Sequence, residues 1–95
     1  MKTQNIVKRL YHDNSLELKI LTKRRWDEET KCLFIVSYDD LGYYSELEQI
    51  DTGTEEYLEG LKKLIESGIE KVARMECTID DVGREINLYM NNKLS

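Results

Sequence analysis

One histidine, two cysteines and nineteen carboxylates are the reactive groups of this chain. His12 is followed by Asp13, but a general base also needs a nucleophile and an orienting group brought together across space. Ser15 lies nearby without the strand–turn–helix context of a nucleophile elbow. His12 therefore reads as an exposed turn residue. His12, Cys32 and Cys77 are the only soft metal ligands, and gaps of twenty and forty-five residues match no zinc pattern. Cys32 opens an apolar strand and Cys77 falls on an apolar face, so both are expected to be buried, unpaired thiols. Asp27-Glu28-Glu29 and Asp39-Asp40 lack the ligand order of a calcium loop. The five glycines are dispersed and form no phosphate-binding loop. No catalytic residue, metal or cofactor is expected, and the chain reads as a non-enzyme.

Charge carries more information than any motif. Residues 1–26 hold seven basic and two acidic side chains. Residues 27–59 hold eleven acidic side chains and one lysine, and residues 60–95 hold six of each. The middle third thus has a net charge of −10 within a chain of net −5. A block of one sign steers oppositely charged partners and repels nucleic acid. One basic segment interrupts this layout: Lys23, Arg24, Arg25 and Trp26, three cations beside an aromatic ring. Three acids follow at once, which predicts a hairpin loop with internally paired charges. Tyr38, Tyr43 and Tyr44 gather around the Asp39–Gly42 turn. Tyrosine beside carboxylates suits a protein interface, where the ring contributes area and the hydroxyl a hydrogen bond.

The elements that position these groups follow from periodicity. At 95 residues without proline, with 35% charged and 40% hydrophobic residues, the chain reads as a single α+β domain, residues 1–95. Residues 5–11 and 16–22 alternate and read as strands. Residues 31–38 are apolar on both faces and read as the central strand, and 43–50 as a fourth strand carrying Glu46 and Glu48. Thr54 can cap a helix whose stripe is Tyr57, Leu58, Leu61, Leu64 and Ile65. Gly68 is placed as its left-handed C′ residue, ending the helix near Ser67. A continued helix through Ile69, Val72 and Ala73 is the rival. From Ala73 a period of two, broken by Asp80-Asp81-Val82-Gly83, predicts a hairpin over 73–90 with Met75, Cys77, Ile79, Ile86 and Leu88 shielded. The expected order is ββββ-α-ββ, one helix packed across an antiparallel sheet.

The longest apolar run, Leu33-Phe34-Ile35-Val36, is too short to span a membrane. No apolar signal-peptide core follows Met1, so the expected setting is cytoplasmic. The resulting expectation is a small acidic interaction module that contacts a basic protein surface through Asp39, Asp40, Tyr43, Tyr44, Glu46, Glu48, Asp51, Glu55, Glu56 and Glu59. In size and charge alone the chain is similar to the acidic single-domain inhibitors that phages and mobile elements encode, the anti-CRISPR and other DNA-mimic proteins. Carboxylates on such an acidic face would occupy a groove that normally holds nucleic acid, while the net negative charge predicts no direct nucleic-acid binding and the short apolar runs no membrane binding. The alternative is a structural subunit or homodimer pairing through sheet edges.

Overall fold

The computed structural model describes residues 2–93. The protein is α+β, with three helices and one three-stranded antiparallel sheet: α1 (Lys2–His12), β1 (Leu16–Arg25), β2 (Glu28–Tyr38), β3 (Tyr44–Gly53), α2 (Glu55–Ala73) and α3 (Ile79–Asn92). The order α-βββ-αα replaces the expected ββββ-α-ββ. The chain divides into two compact units. One is residues 15–60, with the sheet and the start of α2. The other joins residues 1–14 to 61–95.

In the sheet unit, β2 is central, as its doubly apolar sequence requires. Leu33, Ile35 and Val36 are fully buried, with Cys32 and Phe34 nearly so. One face joins Leu18 to Ile35 and Ile20 to Leu33 across β1 and β2. The other carries a small apolar cluster of Cys32, Phe34 and Val36, flanked by Leu21. Lys23 lies over the Phe34 ring, 5.1 Å from its centre, and its ammonium pairs with Glu46. The lysine stem covers the cluster while its charge stays in water. In β3, Leu47 and Ile50 are extra residues opposite the β2 register. The first of these bulges rotates the strand between two acids that strict alternation would place together. Glu46 faces with Val36, and Glu48 with Ile35.

In the helical unit, the segment expected to be a first strand is α1. Its buried positions are Thr3, Ile6, Val7 and Leu10, the i, i+3, i+4, i+7 spacing of a helix stripe. The expected 73–90 hairpin is replaced by the end of α2 and by α3. Val82, Gly83 and Ile86 are the buried stripe of α3, while Leu88 is exposed on its outer side. The signal for this helix is Thr78-Ile79-Asp80-Asp81. Thr78 Oγ1 accepts from the Asp81 amide at 3.1 Å, and Asp81 accepts from the Thr78 amide at 3.1 Å. This is a reciprocal capping box. The Thr78 backbone N–H, then its side chain and the Arg84 guanidinium, hold the Asp81 carboxyl below its ordinary value. The acidic pair read as a turn is therefore the first turn of a helix.

The rival extension of the earlier helix is correct: α2 runs past Gly68. That glycine is helix interior, where a Cβ would stand 2.4 Å from Val82 Cγ1. Gly83 lets α1 and α3 approach in the same way, its Cβ position lying 3.3 Å from the Gln4 backbone. The true left-handed C′ residue is Met75, at φ 63. The Met75 amide donates to Val72 O at 3.0 Å and the Glu76 amide to Lys71 O at 2.8 Å, the two bonds of a Schellman motif. Met75, expected to be shielded, is 91% exposed. Trp26, the first of two loop residues joining β1 to β2, has φ 60 and the same exposure. Neither bulky side chain gains packing to offset its strained backbone. Met75→Gly and Trp26→Gly are therefore each expected to raise stability by about 0.5–1 kcal/mol, against a left-handed penalty of roughly 1–2 kcal/mol and the entropy cost of glycine. Thermal unfolding checks this, and a loss of stability in either variant contradicts it.

Candidate interaction surface

The β2–β3 connection is built around Asp39. Its Oδ1 accepts from the Leu41 amide at 2.9 Å and the Tyr43 amide at 3.0 Å. Its own amide donates to Tyr43 O at 2.9 Å, and the Gly42 amide donates to Asp39 O at 3.1 Å. One carboxylate oxygen thereby organises the loop in the manner of an Asx turn. With the backbone turned so tightly, the neighbouring side chains project outwards. Leu41 is 82% exposed and Tyr43 71%, and Tyr38, Tyr44 and Leu47 are also exposed. Five of the eight large exposed hydrophobic residues among those described fall within residues 38–47. The Tyr38 and Tyr44 rings meet at 6.0 Å with a 60° tilt. Lys19 Nζ stands 5.3 Å from the centre of the Tyr44 ring. Asp40, in the turn itself, is exposed and has no ion pair among the described residues. An apolar centre rimmed by polar groups is the usual anatomy of a protein contact site.

The ten residues expected to form one contact surface fall into separate places. Asp39, Asp40, Tyr43 and Tyr44 share the β2–β3 tip. Asp51, Glu55, Glu56 and Glu59 belong to the other end of β3 and the start of α2, about 20 Å from Tyr44 along the β2 register at roughly 3.3 Å per strand residue. Glu46 and Glu48 lie between, on opposite faces. Several of the acids hold the fold together. Glu46 pairs with Lys23, and Glu55 with Lys31 at 3.7 Å. Asp51 accepts from the Tyr57 hydroxyl at 2.5 Å and from the Thr52 amide at 2.9 Å. Glu56 and Glu59 are exposed, without ion pairs among the described residues. Leu41 and Leu47 carry no interface signal in the sequence, because one reads as turn filler and the other as a strand residue. Only their neighbours' aromatic character pointed to this end of the sheet.

The basic segment lies at the end of the β1–β2 hairpin, as its charge pattern predicts. Arg24 pairs with Glu29 across the strands, as the sign change on either side of Trp26 implies. The sheet unit as a whole holds five basic and twelve acidic residues, net −7. The helical unit, with nine basic and seven acidic, is net +2. Charge segregation between sequence thirds thus persists as segregation between units.

The other chemical candidates are dispersed. His12 ends α1 and stacks edge-on with Tyr11 at 5.0 Å. Both thiols are free, and Cys32 is buried. Cys77 departs from the expected burial: it is only partly buried and lines a cavity of about 290 Å³ with Leu64, Ser67, Gly68, Lys71 and Val82. Among the described residues, no three His, Cys, Asp or Glu side chains converge as a metal site requires. No helix among them is long and apolar enough to cross a membrane. No known protein family, no curated protein and no solved structure matches the chain.

Proposed function

We propose that this protein is a non-enzymatic interaction module that engages a basic protein surface through the tip of the β2–β3 hairpin. The observation that carries this reading is the exposed cluster of Tyr38, Leu41, Tyr43, Tyr44 and Leu47 on a loop fixed by Asp39. Tyrosine and leucine on a preorganised hairpin present apolar area with little further ordering cost. The net charge of −7 on the same unit acts over a longer range. It accelerates encounter with a cationic partner and repels nucleic acid. Basic surfaces of this kind belong to nucleic-acid-handling proteins, and occupying one would inhibit or regulate its owner. Such a role suits the small acidic inhibitors of phages and mobile elements. Local pairing of Glu29, Glu46 and Glu55 favours an aromatic contact with electrostatic steering over a row of phosphate-like carboxylates.

Pairing of sheet edges between copies is the second reading. The outer strands argue against it: β3 is bulged twice, and β1 ends in Lys23, Arg24 and Arg25. Bulges and charges are the features that keep edges from pairing. A pull-down from host lysate at low and high salt tests the proposal. The expected result is a basic protein retained at low salt and released as salt rises. Retention unchanged by salt contradicts the steering component. A protein that recovers only itself returns the edge-pairing reading to first place.

A further inference from the structure

We infer that the partner segment received by the β2–β3 tip is arginine-rich rather than merely basic, an inference that rests on the reading above. The Tyr44 ring already receives a cation on its face, from Lys19 at 5.3 Å. Tyr43, its neighbour, is 71% exposed and presents a ring with no such occupant among the described residues. Asp40, in the same turn as Tyr43, is an exposed carboxylate with no ion pair among the described residues. Leu41 in the turn and Leu47 at the first bulge of β3 add exposed apolar surface to this hairpin.

This combination discriminates between the two cationic side chains. A guanidinium is planar and weakly hydrated. It stacks flat on a phenol ring while donating two parallel bonds to a carboxylate. An ammonium is compact and strongly hydrated, and loses more water on reaching a ring face. The aliphatic stem of either residue finds apolar cover on the leucines. Long-range attraction to the acidic unit is the same for both cations, so any preference must arise at the rings and Asp40.

The test is calorimetric titration of the full chain with two synthetic twelve-residue peptides of equal charge, one arginine-rich and one with lysine at each arginine position. Titrations are run at low and high salt. The arginine peptide is expected to bind about tenfold more tightly, the size of one or two exposed cation–π contacts. It should retain measurable binding at the salt concentration that abolishes lysine-peptide binding. Tyr43→Leu keeps the apolar area and removes the π face. It is expected to bring the two affinities to near equality while circular dichroism remains that of the wild type. Amide shifts in the wild-type protein should concentrate in residues 38–47 on adding the arginine peptide. Equal affinity of the two peptides for the wild type overturns the inference and leaves the interaction reading standing. Binding of neither peptide overturns both. An arginine preference that survives Tyr43→Leu, or shifts centred elsewhere, overturns the assignment to this tip.

Discussion

Gly68→Ala destabilises the protein by about 1–3 kcal/mol, the typical cost of forcing a methyl group into a packed contact. Helix propensity alone predicts the opposite sign, a gain of up to about 1 kcal/mol for alanine over glycine in a helix interior. Geometry decides between them. The added Cβ would sit 2.4 Å from Val82 Cγ1 and 3.1 Å from Val82 Cγ2. Val82 is itself buried, on the stripe that α3 turns inwards. A β-branched side chain has few rotamers to escape into, so the helices must separate. For a domain of this size the loss corresponds to a fall of roughly 5–20 °C in melting temperature. Gly68→Ala combined with Val82→Ala should recover part of the loss, because the colliding methyl groups are gone. A melting temperature raised by the single substitution would contradict the packing of α2 against α3.

Leu41→Ala with Tyr43→Ala is expected to weaken partner binding by at least about 2 kcal/mol, thirtyfold or more, with no comparable loss of stability. Both side chains are largely exposed, so truncation removes little intramolecular packing. The loop conformation stays with Asp39, whose acceptor bonds go to the backbone amides at these positions. Charge reversal is a poorer probe than the sequence suggests. Glu46, Asp51 and Glu55 have intramolecular partners, so lysine at those positions perturbs the fold as well as the surface. Asp40, Glu56 and Glu59 are the cleaner set. Each exposed pair contributes about 0.2–1 kcal/mol, so replacing all three should slow association and flatten the salt dependence without abolishing binding. Comparison of association and dissociation rates separates the two effects. The hairpin pair should act mainly on dissociation and the acidic set mainly on association.

How far the sequence reveals this architecture depends on whether a residue's partners are local. The Thr54 cap, visible in the sequence, is present as the bond from the Tyr57 amide to Thr54 Oγ1 at 3.2 Å. The centrality of β2 is equally legible, because residues 32–36 leave no polar face to turn outwards. The first and last segments read as strands in the sequence because short stretches fit periods of two and 3.6 almost equally well. In α1, the polar Thr3 completes the buried stripe, so an apolar count misses one of its members. In α3, Asp80 and Asp81 have turn-forming chemistry, yet Asp81 caps a helix. Gly68 and Gly83 are illegible for another reason: what they approach, Val82 and Gln4, lies far away in the chain. The candidate surface divides along the same line. Asp39, Asp40, Tyr43 and Tyr44 lie together because one turn contains them. The bulge at Leu47 and the length of β3, which scatter the other six, depend on cross-strand register.

Hydrogen exchange on the complex with the captured partner tests the central claim most directly. Slowed exchange is expected at the amides of residues 38–47. The β1–β2 tip around Trp26 and the outer face of α3 around Leu88 should exchange as in the free protein. Protection running along the edges of β1 or β3, or confined to α1 and α3, with residues 38–47 unchanged, would contradict the assignment of the contact to the β2–β3 hairpin.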